Sequence, residues 1–199
     1  MKKEAPQPGR RSARERLLAA AEELFYEEGI NTVGIDRVIE RAGVAKASLY
    51  DCFGSKEELI RSYLVARLEA RQARMKEKLA RYATPRDRLL GVFEVMGELF
   101  AEPTFRGCPF VRASAEVRPD SRVKDVCEDS RAWMRDFFTG LAKDAGAGDP
   151  QSLARQLVLL YDGASVSAQM DRNPGAAEAA RAAACLMLDA ATGASSPAQ

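Results

Sequence analysis

One stretch, from Ile35 to Phe53, constrains the fold of this chain more than any other. Apolar residues recur in it at helical spacing on both sides of Gly43, which interrupts the run. These apolar positions are Ile35, Val38, Ile39, Ala42, Leu49 and Phe53. A sharp turn between two helices favours glycine, because glycine adopts a positive φ without a Cβ penalty. The stretch therefore predicts a helix-turn-helix, whose second helix, about 46–52, is of a kind that can enter the major groove of DNA.

Length and composition limit the possible classes of protein. The chain has 199 residues, of which 46% are hydrophobic, so it can bury a core and form one or two domains. It has no run of about 18 apolar residues that could span a bilayer, and no apolar segment follows its basic N-terminus. We therefore expect no membrane association and a cytoplasmic location.

The sequence argues against several kinds of catalytic site. It contains no histidine, which excludes a Ser-His-Asp triad, a Cys-His pair and imidazole metal ligation. Its four cysteines lack metal-ligand spacing, and there is no glycine-rich phosphate loop. The four cysteines are Cys52, Cys108, Cys127 and Cys185. We expect no enzymatic activity, no metal and no cofactor.

Basic charge is concentrated at the N-terminus, although the whole chain carries a net charge of only +1. Residues 1–16 carry a net charge of +4 and include Arg10 and Arg11. Such a run is either a solvated tail or an arm that contacts phosphates. Its position directly before the helix-turn-helix pattern favours the second interpretation.

Helix start signals recur along the whole chain and predict an all-α fold. Ser12 and Glu15 form a capping box, and a similar pattern begins at Ser55. Proline follows a capping residue at Thr84-Pro85 and Asp149-Pro150. Further helices are predicted from about Pro109, from about Ser121 to Asp144, and from Asn173-Pro174.

Residues 14–60 resemble the DNA-binding domain of the TetR family of transcriptional regulators. They contain, in the family's order and spacing, L-F…G, A-G-V, L-Y-x-x-F and S-K-E-E-L. The resemblance implies an all-α homodimer, with an N-terminal three-helix helix-turn-helix DNA-binding domain followed by a C-terminal helical ligand-binding and dimerisation domain. The expected divisions are a basic flexible arm over 1–11, the DNA-binding domain over 12–58, the C-terminal domain over 59–191 and a disordered tail over 192–199.

The same resemblance assigns DNA contacts to individual residues. Base contacts fall to Lys46, Ala47, Ser48 and Asp51, and phosphate contacts to Tyr50 and Lys56. Gly34 and Ala45 stand where the family usually has capping Ser or Thr, so we expect weaker caps on the two helices. Asp51 replaces a more usual aromatic residue or histidine. Its carboxylate either accepts a hydrogen bond from a cytosine amino group or pairs with a neighbouring basic residue.

The C-terminal half is rich in large apolar side chains, which are open to two interpretations. They are either plain core or the walls of a cavity between helices that binds a small molecule. The candidate cavity residues are Phe93, Met96, Phe100, Cys108, Phe110, Trp133, Phe137 and Tyr161.

The last two predicted helices carry apolar stripes and many small residues. They form either a core pair within a monomer or, with the same helices of a second subunit, a four-helix interface. The second is favoured because helix-turn-helix proteins gain from binding two half-sites. The candidate interface residues are Leu157, Leu160, Ala164, Ala168, Ala183, Leu186 and Met187.

Together these features predict a dimeric regulator that binds double-stranded operator DNA and is released by a small apolar or amphipathic effector. Repression is the commoner action in the family that the chain resembles. The alternatives are an enzyme on a helical scaffold and an interaction protein that has lost DNA binding. Cys108 is also a candidate target for an electrophile, because Arg106 and a helix N-terminus would both stabilise its thiolate; Cys52 is the competing target.

Overall fold

A computed structural model describes residues 11–173 and 175–193. Within these ranges the chain folds into nine α-helices and no β-strand, which confirms the all-α prediction. The helices are α1 (Ala13–Glu28), α2 (Ile35–Ala42), α3 (Lys46–Phe53), α4 (Lys56–Leu79), α5 (Pro85–Phe100), α6 (Pro109–Glu116), α7 (Val123–Asp144), α8 (Pro150–Asp171) and α9 (Ala176–Thr192). The predictions for Arg10 and for the tail beyond residue 193 lie outside the described residues, whereas Thr192 is still helical.

Side-chain caps begin four of the described helices, α1, α4, α5 and α8, at the residues that the sequence indicated. Ser12 and Glu15 form the full capping box of α1, and the Ser55 hydroxyl accepts from the backbone N–H of Glu58. Thr84 and Asp149 cap α5 and α8, each before a proline. By contrast, α2 and α3 have no side-chain cap, because Gly34 and Ala45 carry no acceptor.

The buried side chains form two hydrophobic cores. One joins α5, α7, α8, α9 and the end of α4. The other contains α1, α2, α3 and the first half of α4, together with α6 and the beginning of α7. Because α4 runs unbroken from one core to the other, the predicted boundary at residue 58 falls within its first turn.

The position of α6 was not predicted. Its residues Phe110 and Ala113 are buried in the core that contains the helix-turn-helix. Val123 and Val126, from the start of α7, lie in the same core. The α6 helix therefore packs with the helix-turn-helix, and α7 connects the two cores as α4 does.

No helix in the described ranges is both long and apolar enough to cross a bilayer.

Candidate DNA-binding surface and ligand cavity

The turn of the helix-turn-helix depends on the backbone conformation of Gly43 and on hydrogen bonds from Arg16. Gly43 adopts a left-handed conformation with φ 60° and ψ 46° at the end of α2. The Arg16 guanidinium, from α1, donates to the carbonyls of Ala42 and Gly43 at 3.2 and 2.9 Å. These bonds fix the turn against α1, and no local pattern in the sequence indicated them.

The recognition helix α3 is anchored by one face and leaves the other exposed. Leu49 and Phe53 are buried in the core, and the Arg14 guanidinium lies 5.0 Å from the centre of the Phe53 ring. The residues predicted to contact DNA lie on the opposite face. Ala47, Tyr50 and Asp51 are exposed, and Ser48 is half-buried. Arg11, just before α1, is also exposed.

Lys46, the first residue of α3, forms an ion pair that the sequence analysis missed. Its Nζ lies 3.0 Å from Oδ1 of Asp36 in the first turn of α2. This hydrogen bond raises the pKa of Lys46. In the free protein the Lys46 ammonium group is therefore paired with the Asp36 carboxylate on α2.

Lys56 differs from the other predicted contacts because it is half-buried. Burial lowers the pKa of Lys56, and the Glu116 carboxylate at the end of α6 partly offsets this effect. The Glu116 carboxylate also accepts from the backbone N–H of Asn31, at 3.0 Å. Lys56 therefore lies where the α1–α2 loop and α6 meet, and its access to a phosphate is more restricted than that of Tyr50.

A cavity of about 570 Å³ opens between α4, α6, α7 and α8. This volume is within the usual range of small-molecule sites. Its walls combine apolar, basic and hydroxyl side chains. They include Arg71, Cys108, Phe110, Arg112, Ser130, Arg131, Met134, Tyr161, Asp162 and Val166.

Three of the eight predicted cavity residues line this space, namely Cys108, Phe110 and Tyr161. The other five lie elsewhere. Phe93, Met96 and Phe100 are buried in the C-terminal core, because α5 packs against α4, α7, α8 and α9. Trp133 and Phe137 stack on each other at 4.9 Å and only partly cover that core.

The cation beside Cys108 is Arg71, not Arg106. The Arg106 guanidinium donates to the carbonyls of Pro103 and Phe105 in its own loop. The Arg71 guanidinium, from α4, donates to Cys108 Sγ at 3.6 Å and to Ser130 Oγ at 3.3 Å. These partners are 37 and 59 residues away in the chain, so sequence proximity pointed to the wrong arginine.

The predicted interface residues divide between the inside and the surface of the protein. Leu157, Ala164 and Ala168 are buried because α8 packs against both α7 and α9 of its own chain. Leu160, Ala183 and Met187 are half-buried, and Leu186 is exposed. Leu159, which was not predicted, is 68% exposed, and Leu186 is 71% exposed, so both present large apolar side chains to solvent.

Comparison with known proteins decides the family. The family described as "Bacterial regulatory proteins, tetR family" matches residues 17–63, which cover most of α1, all of α2 and α3, and the start of α4. The repressor NemR of Escherichia coli is 30% identical over 180 residues, a match that covers 80% of this chain and 85% of NemR. The chain belongs to the TetR family.

Solved TetR-family structures extend this similarity to the C-terminal helices. A TetR-family regulator from Streptomyces coelicolor superposes with a TM-score of 0.85 at 32% identity, covering 90% of this chain and 96% of that one. The reduced form of E. coli NemR gives a TM-score of 0.78 at 26% identity, covering 88% of this chain and 97% of that one. The relatives are transcriptional regulators and not enzymes, so the enzyme alternative falls.

Proposed function

We propose that this TetR-family protein is a homodimeric repressor that leaves its operator when a small amphipathic molecule enters the cavity. Family membership supports DNA binding and transcriptional regulation, and the relatives NemR and KstR2 are repressors. The observation that carries the proposal is α6, which contributes both to the cavity wall and to the core of the helix-turn-helix.

DNA docking would use the exposed face of α3. Ala47, Ser48 and Asp51 would face base edges in the major groove, while the Tyr50 hydroxyl donates to a phosphate. Lys46, to which the family resemblance assigns a base contact, would here instead exchange the Asp36 carboxylate for a DNA phosphate, since it is the first residue of α3 and pairs with an acid. Because the ion pair with Asp36 is exposed, breaking it costs little.

Coupling between the cavity and α3 would pass through the contacts of α6 with α1 and α4. Tyr26, in α1, accepts from the Arg106 backbone N–H at 2.9 Å, and its hydroxyl donates to the Gly107 carbonyl at 3.2 Å. The Arg112 guanidinium, on the cavity wall, donates to the Tyr26 carbonyl at 2.6 Å. A ligand that moves α6 would therefore act directly on α1, the helix against which the helix-turn-helix packs.

The connection from α6 to α7 provides a second path. The Ser121 hydroxyl and the Arg122 backbone N–H both donate to one carboxylate oxygen of Glu57, at 2.7 and 3.0 Å. Glu57 belongs to the first turn of α4, directly after α3. A shift of α6 and α7 would thus be transmitted to the end of the recognition helix.

Dimerisation would use the outward faces of α8 and α9. Leu159 and Leu186 are exposed there, as is Met170 near the end of α8. A groove lined by small residues, including Gly163, Ala176 and Ala179, lies between the two helices. Large apolar side chains around such a groove are typical of an interface between subunits.

The proposal can be tested by measuring binding to the DNA upstream of the protein's own coding region, by fluorescence anisotropy over a salt series. We expect Lys46→Ala and Tyr50→Phe to weaken binding to all sequences, and Lys46→Ala to reduce the salt dependence by about one counterion. Lys76→Ala is the matched control, because it removes the same charge at an exposed position near the end of α4. If both α3 variants bind like the wild type, α3 does not dock as proposed.

A further inference from the structure

The cavity contains a cation, Arg71, that forms no salt bridge with a carboxylate in the described part of the chain, although the Asp162 carboxylate acts on it from a greater distance. Among the described residues, the side-chain hydrogen-bond partners of the Arg71 guanidinium are the Ser130 hydroxyl and the Cys108 thiol, and it lies 4.6 Å from the centre of the Phe110 ring. A guanidinium withdrawn from bulk water without an anion is unfavourable, because neutral partners replace its hydration only in part. The site would therefore be more stable with an anion beside Arg71.

A tyrosine hydroxyl on another helix of the cavity wall has no hydrogen-bond partner among the described residues either. Tyr161, on α8, is only 7% exposed and lines the cavity, and its hydroxyl makes no hydrogen bond within the part of the chain that the structure describes. Buried tyrosine hydroxyls usually have a hydrogen-bond partner. Tyr161 is thus a second donor available to a bound acceptor.

The charges of the other cavity residues also favour an anion. The lining contains four basic and two acidic side chains, a net charge of +2. Asp162 is neutralised by its salt bridge with Arg131, and Glu128 is exposed at the rim. A cationic ligand would therefore find no unpaired carboxylate in the interior.

Apolar side chains complete the cavity. Phe110, Val111, Met134 and Val166 line it. A fully hydrated inorganic anion would leave these walls in contact with water. An organic anion with an apolar body would satisfy both the donors and the walls.

We propose that the ligand of the cavity is an amphipathic organic anion whose carboxylate pairs with Arg71 and accepts a hydrogen bond from the Tyr161 hydroxyl. This inference rests on the proposed function and specifies the chemical class of its effector. The carboxylate would draw the guanidinium away from Cys108, which is the N-cap residue of α6. Binding would thereby change the contact between α4 and α6, the helix that enters the core of the helix-turn-helix.

The test compares three probes with the same eight-carbon chain, namely octanoate, octan-1-ol and octylammonium, by isothermal titration calorimetry. We expect the wild-type protein to bind octanoate at least about tenfold more tightly than octan-1-ol, because a charge-assisted hydrogen bond forms only with the carboxylate. Octylammonium should bind most weakly. Release of upstream DNA by each probe is measured in parallel.

Two variants assign the preference to residues. Arg71→Gln should reduce octanoate binding to the level of octan-1-ol and leave octan-1-ol binding unchanged. Arg74→Gln, one helical turn further along α4, is the control, since Arg74 is outside the cavity and pairs with Glu102. Tyr161→Phe keeps the shape of the ring and should cause a smaller loss with octanoate alone. Thermal unfolding of each variant shows that it remains folded.

The outcomes separate this inference from the proposed function. Equal binding of octanoate and octan-1-ol, or an octanoate preference that survives in Arg71→Gln, would overturn the anion assignment, while DNA release by either probe would still support the effector role of the cavity. Tightest binding of octylammonium would also overturn it and would indicate Glu128 or Asp162 as the partner. If no probe binds and none releases DNA, both proposals fail.

Discussion

Lys46 and Arg71 show how the surroundings of a charged residue determine what it can bind. Lys46 is exposed and pairs with Asp36, so phosphate can replace the carboxylate at low cost. Arg71 lies in the cavity among a thiol, a hydroxyl and an aromatic ring. Under both proposals the same positive charge would serve surface attraction at one site and selective recognition of an anion at the other.

The surroundings of Cys108 and Cys127 differ in a way that favours reaction at Cys108. Burial raises the pKa of Cys127 to about 11, so its thiolate is scarce at neutral pH. Both cysteines line the cavity, but Cys108 in addition accepts from the Arg71 guanidinium. We expect N-ethylmaleimide to label Cys108 several times faster than Cys127, as measured by peptide mass spectrometry over time.

Arg71→Gln provides the control for this prediction, because it should slow the labelling of Cys108 and leave that of Cys52 on α3 unchanged. Comparing DNA release after labelling in Cys108→Ser and Cys52→Ser would show which thiol affects docking. Faster labelling of Cys127, or a rate at Cys108 that does not respond to Arg71→Gln, would contradict the prediction. If labelling releases DNA equally from the wild type and from Cys108→Ser, Cys108 lines the cavity but has no part in release.

Among the helices, the beginnings of α1, α4, α5 and α8 were predictable because capping is local, whereas α7 and α9 begin without a side-chain cap and slightly later than predicted. The Ser12–Glu15 box and the Thr84-Pro85 pair each act within a few residues, so the sequence alone located α1 and α5. The role of α6 was not predictable, because Phe110 and Ala113 could pack against either core. Its partners in α1 lie more than 80 residues away, as in the hydrogen bond from Arg112 to Tyr26.

The recognition helix α3 begins without a side-chain cap, and this can be corrected by one substitution. Ala45 has φ −72° and ψ 150°, the extended geometry that an N-cap residue needs. We expect Ala45→Ser to increase the free energy of unfolding by about 1 kcal/mol, because the hydroxyl would accept a backbone N–H in the first turn. For a chain of this size the midpoint of thermal unfolding should rise by about 2–4 °C.

Ala47→Ser is the matched control for this substitution. Ala47 is exposed inside α3, where serine cannot cap and is a slightly poorer helix former than alanine. It should leave the unfolding midpoint unchanged or lower it slightly. A midpoint in Ala45→Ser no higher than in Ala47→Ser would show that the first turn of α3 is already satisfied, for example by water.

At the scale of the whole molecule, α4 and α7 contribute to both cores, whereas α6 packs into the helix-turn-helix core and lines the cavity, and this explains which parts of the cavity were predictable. Cys108, Phe110 and Tyr161 were recognised because they are unusual or large side chains near helix ends or on apolar stripes. The donors and acceptors that complete the cavity, such as Arg71 and Ser130, come from different helices that meet only in the folded protein. Apolar periodicity identifies a buried face, but it does not show whether that face meets a neighbouring helix or a cavity.

The last prediction concerns the surface that would join two subunits. Leu159 on α8 and Leu186 on α9 are the large apolar side chains that an interface would cover, being 68% and 71% exposed. We expect Leu159→Glu and Leu186→Glu each to give monomers in sedimentation velocity. In a dimer, each variant would bury one glutamate from each subunit in the interface, and neither carboxylate would have a partner of opposite charge. Val65→Glu on α4, where valine is 40% exposed, is the control and should remain dimeric. The monomeric variants should also bind upstream DNA about a hundredfold more weakly, since the second half-site no longer adds to affinity. A dimer that survives both α8 and α9 substitutions would place the interface on another face of the molecule.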